Sequence, residues 1–176
     1  MSGVTSYRFS QRMTIAPRSF LGELFRVSTQ PGVISFAGGL PDASLFDLDG
    51  IRDATMAVLN DEGQCALQYT TTDGYLPLRK YIADRYFSRL GLRARPEEIQ
   101  IVNGSQQCLD LIAKILVDPG DHLLLERPGY LGAIEAFSFY EPVLDSVPPM
   151  RKDAPGPDAE VLKNLVSKKN PAFFYG

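Results

Sequence analysis

"IVNGSQQCLDLIAKILVDPGDHLLLERPGY", residues 101–130, decides how the chain folds. It leaves a short β-branched run, turns through Asn103, Gly104, Ser105 and Gln106, and enters a helical pattern over 105–117. Pro119 and Gly120 then break the helix before the apolar run 122–126. Strand, tight turn, helix and strand make one β-α step of a parallel sheet. The rhythm continues with a helix over 130–139, a strand "PVLDSV" at 142–147, a helix around 158–168 and a strand "AFFY" at 172–175. With "EIQIV" at 98–102 as the first strand, the expected architecture is α/β, four strands in a mainly parallel sheet with helices on its faces.

Upstream the pattern is helical. "DLDGIRDATMAVLND" (47–61) places Leu48, Ile51, Thr55, Val58 and Leu59 on one face, with Asp47 at its N-cap. "YLPLRKYIADRYFSRLG" (75–91) has Pro77 near its start, aligns Leu78, Tyr81, Ile82, Tyr86 and Leu90, and stops at Gly91. The first 46 residues are irregular, with one short helix expected in "RSFLGELFRVST" (18–29), followed by turn signals at Pro31-Gly32 and Gly38-Gly39. No repeat or low-complexity block interrupts the chain.

Composition bounds the function. The 176 residues are 44% hydrophobic and 22% charged, with a net charge of −3. No run approaches the roughly 18 apolar residues of a membrane span. The N-terminal stretch lacks the apolar core of a secretory signal, so a cytoplasmic location is the default. Basic residues are scattered rather than striped, which argues against a nucleic-acid surface. Cys65 and Cys108 lie far apart and His122 is the sole histidine, so neither a metal site nor a disulfide framework is expected. A small ligand fits better.

Ligands of open α/β sheets sit outside the carboxyl ends of the strands. Asn103 to Gln106 occupy such a place. Gly104 lets the backbone turn tightly, the amides of the first helical turn favour an anion such as phosphate, and Ser105 adds a hydroxyl. Taken alone, the tetrapeptide reads first as a turn glycine with a serine cap, and the motif is weak. Tyr130, after Pro128-Gly129, falls at the same sheet edge, where its ring either stacks on a flat heterocycle or packs into the core. An anion cradle and a stacking ring on one edge suit a planar cofactor bearing a phosphate.

"ISFAGGLPDASLF" (34–46), "LQYTTTDGYLPLRKYIADRY" (67–86) and the 101–130 stretch, in this order and spacing, resemble the N-terminal portion of class I/II aminotransferases, pyridoxal-phosphate enzymes of fold type I. The 2-aminoadipate and kynurenine aminotransferase group is the most similar. The resemblance spans about residues 18–176. It implies that Gly104, Ser105 and Gln106 hold the phosphate of pyridoxal 5'-phosphate, that Tyr130 stacks on its ring, and that Tyr69 reaches the phosphate of a neighbouring subunit in a homodimer. Gly39 matches a substrate-side loop, and Arg18 an N-terminal arginine that meets the substrate in some members. Residues 1–46 would be an N-terminal arm and small-domain segment, and 47–176 the first part of the large cofactor-binding domain. Substrates would be an amino acid and a 2-oxo acid; aromatic, branched-chain and aminoadipate side chains all stay open.

Transamination needs a lysine that holds the cofactor as a Schiff base and shuttles a proton, and an acidic partner for the ring nitrogen. Lys80, Lys114, Lys152, Lys163, Lys168 and Lys169 stand in helical or loop contexts that match no such motif. Asp110 and Asp118 do not match the acidic partner. The chain is therefore expected to be a truncated, inactive part of an aminotransferase; it also stops at Gly176 directly after an apparent central strand. Two alternatives share these motifs: a fold-type-I lyase or decarboxylase, and the aminotransferase-like ligand-sensing domain of a transcription regulator, for which residues 1–30 are too short and too weakly basic to supply a winged helix.

Overall fold

The computed structural model describes residues 7–15, 19–37, 39–150 and 156–176. In chain order they form α1 (Gln11–Ile15), α2 (Phe20–Ser28), α3 (Leu48–Ala66), α4 (Leu76–Leu90), α5 (Gly104–Leu116), β1 (His122–Glu126), α6 (Leu131–Ser138), β2 (Val143–Val147), α7 (Ala159–Lys169) and β3 (Phe173–Tyr175). The chain divides into two compact units, one from residues 1–38 and 103–176, the other from residues 39–102.

In the first unit the sheet has the order β2-β1-β3, with both pairings parallel. β1 is central, and Leu123, Leu124 and Leu125 are buried on both of its faces, as a continuous apolar run in a parallel sheet requires. Leu109 and Ala113 of α5 and Ala133, Ala136 and Phe137 of α6 close over Leu123 and Leu125. Phe137 is fully buried and meets Phe173 and Tyr175 edge-to-face at centroid distances of 5.4 and 5.6 Å. The parallel α/β layer expected from the sequence is thus present.

The N-terminal segment joins this unit through polar contacts. Ser19 caps α2 by accepting the Gly22 N–H at 3.1 Å. Glu135 on α6 then accepts the Ser19 hydroxyl at 3.1 Å and the Leu21 N–H at 3.4 Å. The guanidinium of Arg12 on α1 lies 5.9 Å from the ring centroid of Tyr140, whose hydroxyl donates to Asp110 at 2.8 Å.

The second unit is helical. Asp47 caps α3 through the Gly50 N–H at 2.9 Å, and α3 runs past the expected end at Asp61 across a kink at Glu62. α4 carries Pro77 in its first turn and ends at Gly91, whose φ of +68° makes the left-handed cap that glycine accepts at low cost. The buried Arg79 donates to the carbonyls of Gly74 and Pro96 and pairs with Asp73 at 2.7 Å. α3 has no buried residue, and its stripe of Leu48, Ile51, Val58 and Leu59 is open.

The strand expected at 98–102 is not one. Pro96–Glu98 forms a 3-10 turn, and although Ile99 is extended, residues 99–102 have no ladder partner among the described residues. The Ile101 N–H is taken instead by the Asp73 carbonyl at 3.0 Å, and the Ile101 side chain packs where a β-carbon on Gly74 would stand. The described sheet has three strands rather than four. β-branched residues favour an extended backbone, but a strand exists only where a second one pairs with it.

Candidate cofactor-binding site

α5 opens on a turn built to leave its amides free. Asn103 is the N-cap, yet its side chain caps nothing; its own N–H donates to Gln107 Oε1 instead. Gly104 follows with φ +81°, a value that L side chains rarely adopt, and a β-carbon there would meet no atom within 4 Å. The glycine is therefore demanded by backbone conformation, and the space beside it is open. Residues 103–107 are all exposed. Unclaimed N–H groups at a helix start, a serine hydroxyl beside them and no β-carbon in the way make a donor set of the kind that suits an anion.

Tyr130 leaves the carboxyl end of β1 after the turn at residues 127–129 and is the N-cap of α6. The far edge of its ring lies over Gly132: a β-carbon on Gly132 would stand 2.6 Å from Tyr130 Cζ. Gln106 Nε2 donates to the Gly132 carbonyl at 3.0 Å. The structure therefore brings Gly104, Ser105, Gln106 and Tyr130 together, at the starts of two adjacent helices and at the carboxyl end of the sheet. Tyr130 remains 49% exposed, so its ring has surface left for a ligand.

Two of the other candidate residues belong to the second unit. Tyr69 is 99% exposed in the second unit, where its N–H donates to Gln68 Oε1 at 2.8 Å. Gly39 belongs to the same unit, with φ +59° and open space around it. Arg18 lies outside the described residues, as does Lys152. Lys80 on α4, Lys114 on α5, and Lys163, Lys168 and Lys169 on α7 are exposed. Asp110 is exposed and holds the Tyr140 hydroxyl, and Asp118 closes the turn before β1.

The pair of His122 Nδ1 and Asp145 Oδ2, 2.5 Å apart, looks catalytic by type. His122 starts β1, however, at the end of the strand opposite the Tyr130 turn, and Asp145 is in the middle of β2. Among the described residues no group of three or more His, Cys, Asp or Glu side chains gathers to hold a metal, and no helix is long and apolar enough to cross a membrane. Gly132 is the site residue that the sequence did not single out. Its signal, a glycine two places after an aromatic at a helix start, is too weak to find without coordinates.

The family model described as "Aminotransferase class I and II" matches residues 33–174. The 2-aminoadipate transaminase of Thermus thermophilus is 40% identical over 157 residues, which cover 89% of this chain and 37% of that protein. The crystal structure of LysN, the alpha-aminoadipate aminotransferase of the same species complexed with N-(5'-phosphopyridoxyl)-L-leucine, superposes with a TM-score of 0.77 at 38% identity, covering 95% of this chain and 39% of that one. An HTH-type transcriptional regulator of Escherichia coli, YdcR, is 29% identical over 118 residues, 67% of this chain and 25% of its own length. The chain thus spans well under half the length of these relatives.

Proposed function

Because the chain belongs to the class I and II aminotransferases, we propose that it forms the phosphate- and ring-holding part of a pyridoxal-phosphate enzyme that moves an amino group from an amino acid to a 2-oxo acid. The observation that carries this is the Gln106–Gly132 hydrogen bond, which ties the open amide turn of α5 to the helix that begins behind Tyr130. When bound, pyridoxal phosphate supplies an electron sink to the substrate's α-carbon. The Ser105 hydroxyl and the first amides of α5 donate to the phosphate, and the Tyr130 ring covers one face of the heterocycle and keeps water from it. A dianion at the positive end of a 13-residue helix gains from the macrodipole as well as from the hydrogen bonds.

The remaining assignments are extensions of this reading. Tyr69 reaches the phosphate held by a second copy in a homodimer, which agrees with its exposure. Gly39 lines the substrate side and Arg18 meets the substrate. Residues 1–46 act as an N-terminal arm and small-domain segment and 47–176 as the first part of the large cofactor-binding domain, in the cytoplasm. These 176 residues do not transfer amino groups unaided, a view supported by the solvated settings of the five described lysines.

The test is a titration of the purified chain with pyridoxal phosphate, followed by absorbance, then borohydride reduction and intact mass. Weak saturable binding that inorganic phosphate competes for and Ser105→Asp abolishes is expected, with no covalent adduct at stoichiometric cofactor. Binding indifferent to both Ser105→Asp and Tyr130→Ala would sink the site, and an adduct on one lysine would overturn the claim of inactivity. The likeness to YdcR favours a second reading, a ligand sensor. It predicts that the whole protein binds cofactor and amino acid yet yields no 2-oxo acid.

A further inference from the structure

Gly132 is buried in the first turn of α6. Most glycines of this chain that sit at turns have positive φ, but Gly132 is not among them, so backbone conformation does not require it. Alanine is the better helix former at such a position, which makes the glycine a local disadvantage unless something else demands it. The Tyr130 ring, in the pose it takes, leaves no room for a β-carbon there. A β-carbon at residue 132 would stand 2.6, 2.7 and 2.8 Å from Cζ, the hydroxyl oxygen and Cε1 of that ring, closer than real β-carbons come. The Gly132 carbonyl meanwhile takes the side-chain amide of Gln106, two residues past the Gly104 turn.

We propose that Gly132 is a positioning residue. By leaving no β-carbon under the ring it sets the pose of Tyr130, and by accepting the Gln106 amide it fixes that pose relative to the phosphate-holding turn. What the ring stacks on rests on the cofactor reading above; the ring's dependence on Gly132 does not. An alanine here displaces the ring's far end rather than the helix, because the ring turns about χ1 and the helix backbone is held by its own ladder. The Gln106 side chain, in turn, works as a brace and leaves the phosphate to the amide of that residue and to Ser105.

Two measurements test this on the purified protein. The first is nitration by tetranitromethane without cofactor, followed residue by residue through peptide mass. Gly132→Ala should speed nitration of Tyr130 severalfold while the other seven tyrosines stay as internal controls. An unchanged Tyr130 rate would overturn the proposal. The second is the affinity for pyridoxal phosphate in a double-mutant cycle: Gly132→Ala should weaken binding by roughly tenfold when Tyr130 is present, the scale of one aromatic contact, and by little in a Tyr130→Leu background. Equal losses in both backgrounds would mean that Gly132 serves helix packing alone and would overturn the proposal. If the unsubstituted protein binds no cofactor while nitration still responds to Gly132→Ala, the cofactor reading fails and the control of the ring stands.

Discussion

Single residues carry more of this molecule than their neighbours in sequence reveal. Arg79 is one of four basic residues on α4, and its charge gives no hint of burial. In the fold it is 7% exposed and satisfies two carbonyls and a carboxylate at once. Arg79→Leu takes the charged donor from both carbonyls, leaving Gly74 only the Thr71 hydroxyl and Pro96 only the Ile99 N–H, so a loss of about 1.5–3 kcal/mol is expected in denaturant unfolding. Arg79→Lys recovers only part of that, since one ammonium cannot span the fork from Gly74 to Pro96. The turn residues were legible for the opposite reason. The Gly104 turn that opens α5 is local backbone geometry, which sequence encodes directly, whereas the partner of Gln106 lies 26 residues away and has no local trace.

Elements were legible where their ends are chemically marked. Asp47 caps α3 as its position implies, Gly91 ends α4, and Asp158 caps α7 through the N–H groups of Glu160 and Val161. α1 passed unseen because five residues are too few for a 3.6-residue period to register. The segment 98–102 misled because a β-branched run specifies extension but not pairing. α2 was foreseen as a helix, yet its attachment was not: Glu135 serves as a second cap, binding Ser19 and Leu21 from another helix. Glu135→Ala should release α2, read as faster amide exchange over residues 20–28 with exchange in α5 unchanged, and Glu135→Gln should restore part of the protection. Equal exchange in the three proteins would show that apolar contacts hold α2 without the carboxylate.

For the whole molecule, burial is unevenly shared. The first unit holds a contiguous core around Phe137, while α3 and most of the second unit bury almost nothing. Amide exchange should therefore be slowest in β1 and along α5 and α6 and fast throughout α3. Phe137→Ala, by removing about 3–5 kcal/mol of core packing, should collapse the protection of β1 while leaving α3 as it was. Slow exchange in α3 would contradict this division. The order of the strands has a consequence for the time course of folding. β1 is made first and waits between two partners that arrive on opposite sides: its pairing with β2 joins residues 21 apart, as in His122 with Val143, and its pairing with β3 joins residues 50 apart, as in Leu123 with Phe173. The longer closure costs about 0.8 kcal/mol more chain entropy. On a ribosome the β1-α6-β2 crossover unit can assemble before β3 has been synthesised, and β3 then docks onto an edge already formed.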